Sequence, residues 1–301
     1  MRAMSDDAIR QARRWFAEEL RFITRAGVRD LIDITRHAGA TDVIEAFATV
    51  PRERFLGPGP LRILSSWNLK DYWTPPDTSP AAVDHDVLIA YDEKRRLNNG
   101  QPSLWAFVLD KLNIVRGERV VHLGCGMGYY TAILAELVGP TGEVSAIEID
   151  KTLAERARDA LAPWPQVKVA HGDGAAEGLG MFDVIVASAG ATHPLPTWLD
   201  CLSANGRLVF PMTVTNAGGG MLLVERRGPD EFAARFLCPV SFYEFAGARD
   251  AEVSDRLAQA FAQDRGANVM SARRDQHAEE STCWLHGDGW CLSRRELNPV
   301  Q

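Results

Sequence analysis

The segment VVHLGCGMGYYTAILAEL, residues 120–137, places Gly124, Gly126 and Gly128 within five positions, between an apolar run and a helical pattern. This turn constrains the fold more than any other stretch of the chain. A short apolar run before such a turn predicts a buried strand, and the spacing after it predicts a helix. Glycine-rich strand-to-helix turns belong to open α/β sheets, where ligands sit beyond the carboxyl ends of the strands, near helix N-termini. Glycine permits positive φ and removes the Cβ that would keep a ligand off the backbone.

The alternation continues on both sides of the turn. SLWAFVLDKL predicts a helix, EVSAIEID a strand, TLAERARDAL a helix, and VKVAHGD, FDVIVASA and GRLVFPM further strands, with a helix around PTWLDCL. Short apolar strands alternating with helices imply right-handed crossovers and an α/β, doubly wound, mostly parallel sheet. The expected organisation is a Rossmann-like domain over residues 96–247. A helical or irregular extension, a possible lid, precedes it over 1–95, and a helix plus hairpin follows over 248–301. Ser5, Asp6 and Asp7 suit a helix start, and Ile9, Ala12, Phe16, Leu20 and Ile23 share one face, with Gly27 as its stop. Residues 61–99, rich in Pro, Asp and Ser, predict an irregular connection, with Trp67 and Trp73 as candidate anchors.

The spacing G-C-G-M-G narrows the ligand. A dinucleotide fingerprint carries its third glycine one residue later, and a P-loop needs Gly-Lys-Ser/Thr. The tighter turn suits a ligand without phosphates, such as S-adenosylmethionine. Two acids support that choice. Glu148 ends the second strand, where a carboxylate accepts both ribose hydroxyls, and Asp173 ends the third, where one accepts the adenine amino group. His122, Cys125, Ile149 and Gly174 complete the expected cofactor set with the three glycines.

Composition excludes some alternatives. The net charge of -7 argues against tight binding to nucleic-acid backbones. The five scattered cysteines suggest no disulfide framework, and no apolar run nears membrane-spanning length. The expectation is a cytoplasmic protein with reduced thiols, bound to neither membrane nor nucleic acid. The oligomeric state stays open.

VPRERF, GERVVHLGCGMGYYTAILAELVG, VSAIEID, GDG, FDVIVASAGA, LSANGRLVFPM and CPVSFYEF together resemble the protein-L-isoaspartate O-methyltransferases, over residues 40–245. The resemblance implies a Rossmann-like class I methyltransferase fold, S-adenosylmethionine as cofactor, and methyl esterification of a carboxylate in a peptide or protein. It also implies that Gly124, Gly126 and Gly128 line the methionine part, that Glu148 holds the ribose, and that Asp173 with Gly174 holds the adenine. Ser188 and Ala189 would border the methyl group, while Asp183 at the strand start would be a structural cap.

Two departures from the resembled family stand out. His122 occupies the place of an acid that helps organise the cofactor ammonium, and only a neutral imidazole avoids repelling it. The family's Thr-Ile-Ser-Gln-Pro segment is replaced by LNNGQPSLWA, which puts Gly100 at the serine and Asn98 at the threonine. Asn98, Asn99, Gln101 and Ser188 are therefore the expected substrate-orienting groups. Ser103 is a candidate to restore the hydroxyl, and His193 to face the pocket. The altered segment suits a specialised carboxylate, as in peptide maturation. Methylation of a small molecule and cofactor binding without catalysis are the alternatives. Cys283, His286 and Cys291 are spaced C-x-x-H-x-x-x-x-C with His277 nearby. That spacing lacks a convincing fourth ligand, so the expectation is a hairpin and no metal, with Trp284 and Trp290 paired across it.

Overall fold

Ser5 caps helix α1 (Asp6–Ala26), its Oγ accepting the Ala8 amide at 3.3 Å, and Asp6 and Asp7 fill the first turn. Phe16 and Leu20 are buried on its inner face, while Ile23 is partly exposed. Helix α1 belongs to the first of two compact units of the computed structural model, which describes residues 5–26, 39–57, 59–65, 68–76 and 79–297. The expected stop at Gly27 and the anchor Trp67 lie outside the described residues; Trp73 is half exposed.

The first unit comprises Met1–Gly117, Cys125–Val144 and Lys151–Val169. Helix α2 (Gly39–Thr49) packs on α1 through the edge-to-face pair Phe16–Phe47, and a 3-10 turn follows at Arg52–Phe55. The stretch expected to be irregular instead forms a small antiparallel sheet of β1 (Ile63–Ser65), β2 (Asn68–Trp73), β3 (Val87–Asp92) and β4 (Leu97–Asn98), in the order β2-β1-β3-β4. Short helix α3 (Pro80–Val83) interrupts it. Ile63 and Ile89 face each other in register and are fully buried, and such cross-strand pairs hold the sheet where its sequence shows no alternation. Helices α4 (Pro102–Leu112), α5 (Tyr129–Val138) and α6 (Lys151–Ala160) complete the unit.

The second unit comprises Glu118–Gly124, Ser145–Asp150 and Ala170–Gln301. It carries a ten-stranded sheet, although the first residues of two strands, β6 and β7, fall in the first unit. The strands are β5 (Arg119–Leu123), β6 (Glu143–Glu148), β7 (Val167–His171), β8 (Phe182–Ala187), β9 (Leu202–Thr213), β10 (Gly219–Arg226), β11 (Glu231–Val240), β12 (Ser271–Arg273), β13 (Cys283–Gly287) and β14 (Trp290–Ser293). Their order is β13-β14-β12-β11-β10-β9-β8-β5-β6-β7. Strand β8 lies parallel to β5 and to β9, and β5 and β8 are almost wholly buried, as expected for strands covered on both faces.

Beyond β9 the sheet continues antiparallel through β10, β11, β12 and β14 to β13. This antiparallel half is an addition to the expected doubly wound core, and the C-terminal hairpin joins the sheet as its edge. Helix α7 (Pro196–Asp200) precedes β9, and helix α8 (Ala251–Asp264) is capped by the Asp250 carboxylate on the Val253 amide at 2.9 Å. Trp198, Phe210, Phe232, Phe245 and Leu257 form the centre of this unit's core. Among the described residues, no helix is long and apolar enough to cross a membrane.

Candidate active site

Four neighbouring strands of the second unit end side by side. Three backbone bonds chain their tips in sheet order: Ser188 N to Leu123 O at 2.8 Å, Gly124 N to Ile147 O at 2.8 Å, and Gly172 N to Glu148 O at 3.0 Å. At the usual strand spacing, four tips span about 14 Å. Of the predicted cofactor residues, Gly124 and Glu148 stand on this row, and Ile149, Asp173 and Gly174 lie just past its tips. Glu148, at the end of β6, is buried, and its Oε1 accepts the Asp150 amide at 3.0 Å. Ile149 beside it is half exposed, an apolar side chain presented outward at the tip. Asp173 follows β7 on the surface, its Oδ1 fixed by the Ala175 amide at 2.8 Å. Gly174 is buried beneath, and its carbonyl accepts the Trp198 indole N–H at 2.8 Å.

His122, the last residue but one of β5, is buried, and its Nε2 lies 2.7 Å from Ser188 Oγ. Burial lowers the imidazole pKa to about 3, so the ring is neutral at physiological pH and presents no cation to a cofactor ammonium. The linkage has a definite sign. The folded pKa lies below the unfolded value of about 6.5, so the contribution to stability is complete above that pH and falls as pH drops toward 3. At pH 5 the loss is about 2 kcal/mol relative to neutral pH. Urea unfolding of His122→Gln should lack this part of the acid sensitivity between pH 7.5 and pH 5. An unchanged pH dependence in the variant would show that the imidazole is not held neutral.

The glycine loop continues from Gly124 into the first unit. Gly124, Gly126 and Gly128 all take positive φ (74°, 57° and 95°), and Gly128 N closes a tight turn on Cys125 O at 3.0 Å before α5 begins. Cys125 is buried. A Cβ on Gly126 would come within 3.1 Å of the Tyr91 ring, so this tyrosine of β3 lies directly against the loop backbone. Tyr91 sits in the stretch expected to be irregular, and nothing in its local sequence marks it.

The family model described as Protein-L-isoaspartate(D-aspartate) O-methyltransferase (PCMT) matches residues 26–249. The chain belongs to the protein-L-isoaspartate O-methyltransferase family. It is 32% identical over 214 residues to the protein-L-isoaspartate O-methyltransferase of Rhodopseudomonas palustris (strain BisB5), covering 69% of this chain and 87% of that one. It is 30% identical over 205 residues to that of Ignicoccus hospitalis, covering 67% and 87%. A solved protein-L-isoaspartate O-methyltransferase superposes with a TM-score of 0.60 at 22% identity, over 82% of this chain and 69% of that one. A putative one from Plasmodium falciparum, solved with S-adenosyl-L-homocysteine, gives 0.56 at 18%, over 77% and 97%. The two structures establish a shared methyltransferase fold. The protein is an S-adenosylmethionine-dependent methyltransferase of this family.

The segment that departs from the family pattern lies in the first unit. Asn98 ends β4, and its Oδ1 accepts the Gly100 amide at 2.9 Å. Asn99 is buried, its Oδ1 accepting the Ile89 amide at 2.8 Å. Gln101 donates from Nε2 to Asp86 Oδ2 at 2.9 Å, and Ser103 donates to the same oxygen at 2.7 Å. The Ser103 hydroxyl, a candidate replacement for the family's serine, is thus bound to Asp86. Gly100 itself takes φ +74°, and a Cβ there would lie 2.8 Å from Trp105 Nε1 and 3.2 Å from the Tyr130 ring. Restoring serine by Gly100→Ser should therefore destabilise the protein by about 1–3 kcal/mol, through a left-handed non-glycine and a clash. Thermal unfolding checks this, and a variant as stable as the parent would show that the segment is not held as described.

Other expectations are redirected. His193 packs face to face on Trp290, with ring centroids 5.2 Å apart, and burial lowers its pKa. Trp284 does not pair with Trp290: its indole donates to Asp264 at 2.7 Å, and its ring packs on Phe236 and Phe261. Asp183 accepts the Arg119 amide at 2.9 Å and the Ser203 hydroxyl at 2.6 Å, a brace between strand starts. Arg249 donates to the carbonyls of Gly190 and Thr213, both at 2.9 Å, tying down the loop after β8; no motif pointed to it. Near Cys283, His286 and Cys291, whose spacing lacks a convincing fourth ligand, the structure places His277, and the four ligand atoms lie within 4.8 Å of one another.

Proposed function

We propose that the protein transfers the methyl group of S-adenosylmethionine to a carboxylate of a peptide or protein, forming a methyl ester. The row of strand tips from Ser188 through Gly124 and Glu148 to Asp173 carries this reading. Glu148 accepts the ribose hydroxyls, Asp173 and the Gly174 backbone meet the adenine, and Ile149 supplies an apolar surface to its ring. The loop Gly124, Cys125, Gly126 and Gly128, which follows the strand carrying neutral His122, borders the amino-acid end. The bound cofactor supplies an electrophilic methyl on a sulfonium.

A carboxylate is ionised at neutral pH, so the chain needs no general base, and no catalytic dyad is required. Its task is to strip water from the carboxylate and aim one oxygen along the methyl–sulfur axis. At the strand tips Ser188, held 2.7 Å from His122 Nε2, is the orienting donor. Asn99 and Gln101, bound to Ile89 and Asp86, hold the backbone of the segment that carries Asn98.

Isoaspartyl residues are the substrates named by the relatives. Gly100 in place of a serine, at a φ of +74° that a side chain would strain, favours, within the same chemistry, a different side-chain or terminal carboxylate, as in a peptide-maturation enzyme. The test is incubation with methyl-labelled cofactor and two peptide pools, one isoaspartyl and one with ordinary side-chain and terminal carboxylates. Base-labile label on the isoaspartyl pool supports repair-type activity, and label confined to the second pool supports the specialised reading. No base-labile ester on either pool would overturn ester formation.

A further inference from the structure

We propose that His277, Cys283, His286 and Cys291 form a structural zinc site at the C-terminal edge of the sheet. Their ligand atoms lie within 4.8 Å of one another, and Cys283 Sγ is already 3.6 Å from His277 Nε2. A tetrahedral zinc with two sulfur and two nitrogen ligands has ligand-to-ligand edges of about 3.3–3.8 Å, given bonds of about 2.3 and 2.0–2.1 Å. Closing onto the metal requires shifts of about 0.5 Å per ligand atom, within small side-chain adjustments.

The backbone has a specific device for this convergence. Cys283 and His286 are three residues apart and would point to opposite faces of a regular strand. Strand β13 carries a bulge, however. Cys283 pairs with Ser293 and Leu285 with Leu292, so Trp284 is the extra residue. After the bulge His286 pairs with Cys291. Cys283, His286 and Cys291 therefore share one face, while Leu285 and Leu292 take the other and join the core. His277 reaches the same face from the segment between β12 and β13.

The surrounding bonds suit metal ligands. His277 Nδ1 donates to the Asp275 carbonyl at 2.8 Å, which fixes the tautomer and leaves Nε2 as a lone-pair donor toward the cluster. The Glu280 amide points at Cys283 Sγ at 3.4 Å. His286 Nδ1 is buried and, among the described residues, has no hydrogen-bond partner. Both cysteines are buried. Two thiolates balance the charge of one zinc ion, so the closed site leaves no net charge in the interior. On binding, each thiol loses its proton to solvent as its sulfur bonds the metal. Four protein ligands leave no open coordination position, which makes the site structural and not catalytic. Trp290, adjacent to Cys291, stacks on His193 of the loop after β8, so the metal would fix the hairpin against that loop.

The experiment is elemental analysis of the full-length protein, purified without chelator and dialysed against Zn²⁺, followed by replacement with Co²⁺. The expected results are one zinc per chain and a cobalt spectrum with intense tetrahedral bands plus a thiolate-to-metal charge-transfer band. His277→Ala, changed outside the strands and so least disturbing to the fold, should weaken zinc retention tenfold or more against a competing chelator. Cys283→Ser with Cys291→Ser should abolish it. Wild-type protein with negligible zinc, weak octahedral cobalt bands, or unchanged zinc affinity in His277→Ala would each overturn the site. So would finding three free thiols instead of five in the denatured, unreduced protein, because Cys283 and Cys291 would then form a disulfide.

Discussion

Replacing Glu148 by alanine is expected to weaken binding of S-adenosylhomocysteine by about 10²–10⁴-fold. The side chain is buried at the tip of β6, and in the proposed site its carboxylate accepts two ribose hydroxyls. A hydrogen bond to a charged group contributes about 1.5–3 kcal/mol, so losing two costs about 3–6 kcal/mol, and each 1.4 kcal/mol is tenfold in affinity. The variant also removes the acceptor of the Asp150 amide, which should lower fold stability by about 1 kcal/mol. Glu148→Gln keeps a neutral acceptor for that amide and for one hydroxyl, so its affinity should fall between the two. Calorimetric titration on folded protein measures all three. An affinity within threefold of wild type in Glu148→Ala would mean that the sugar is held somewhere else, and the assignment of the strand tips would fail with it.

The features legible in the sequence are those carried by contiguous strand–turn–helix units. The turn at Gly124–Gly128 and the acids Glu148 and Asp173 each end a strand whose apolar run identifies it, so their places follow from local pattern alone. The antiparallel additions were hidden for the opposite reason. Strand β1 pairs with β3 across more than twenty residues, and β11 with β12 across more than thirty, so neither shows in a local window. The substrate segment illustrates the same limit. Gln101 and Ser103 look available in LNNGQPSLWA, yet both bind Asp86, fifteen or more residues upstream. At the hairpin, the bulge that brings Cys283 and His286 to one face adds a single residue to β13, which no spacing in the sequence marks. His122 was readable as an exception to its surroundings, but its neutrality came from burial, which only the fold supplies.

Arg52→Ala should lower stability by about 3–5 kcal/mol, with a loss greater at pH 8 than at pH 5. Arg52 is fully buried at the start of the 3-10 turn in VPRERF. Its Nη1 donates to the carbonyls of Val83 at 2.7 Å and His85 at 2.6 Å, and its Nη2 to that of Val87 at 2.6 Å. It also lies over the rings of Phe16 and Tyr129. Alanine removes the charged donor from three carbonyls, of which Val83 O and His85 O keep only the amides of His85 and Val87, and leaves a gap between two aromatic rings. The pH difference comes from Asp84, whose carboxyl is buried and, among the described residues, has no hydrogen-bond partner. Burial, then Glu53, raises its pKa to about 6, against the opposing pull of Arg52 and Arg13. A folded pKa above the unfolded one favours the fold at low pH, and that advantage fades as pH rises through 6. Removing Arg52 takes away a compensating cation, so ionised Asp84 becomes more costly at pH 8, while at pH 5 it is mostly protonated and little affected. Arg52→Lys keeps the charge but not the planar fork, and should lose an intermediate amount. Urea unfolding of the three proteins at both pH values measures this. A loss below 1 kcal/mol, or one equal at the two pH values, would show that Arg52 does not hold this turn. Because Tyr129 opens α5 directly after Gly128, the same substitution should also loosen the helix start that follows the glycine loop.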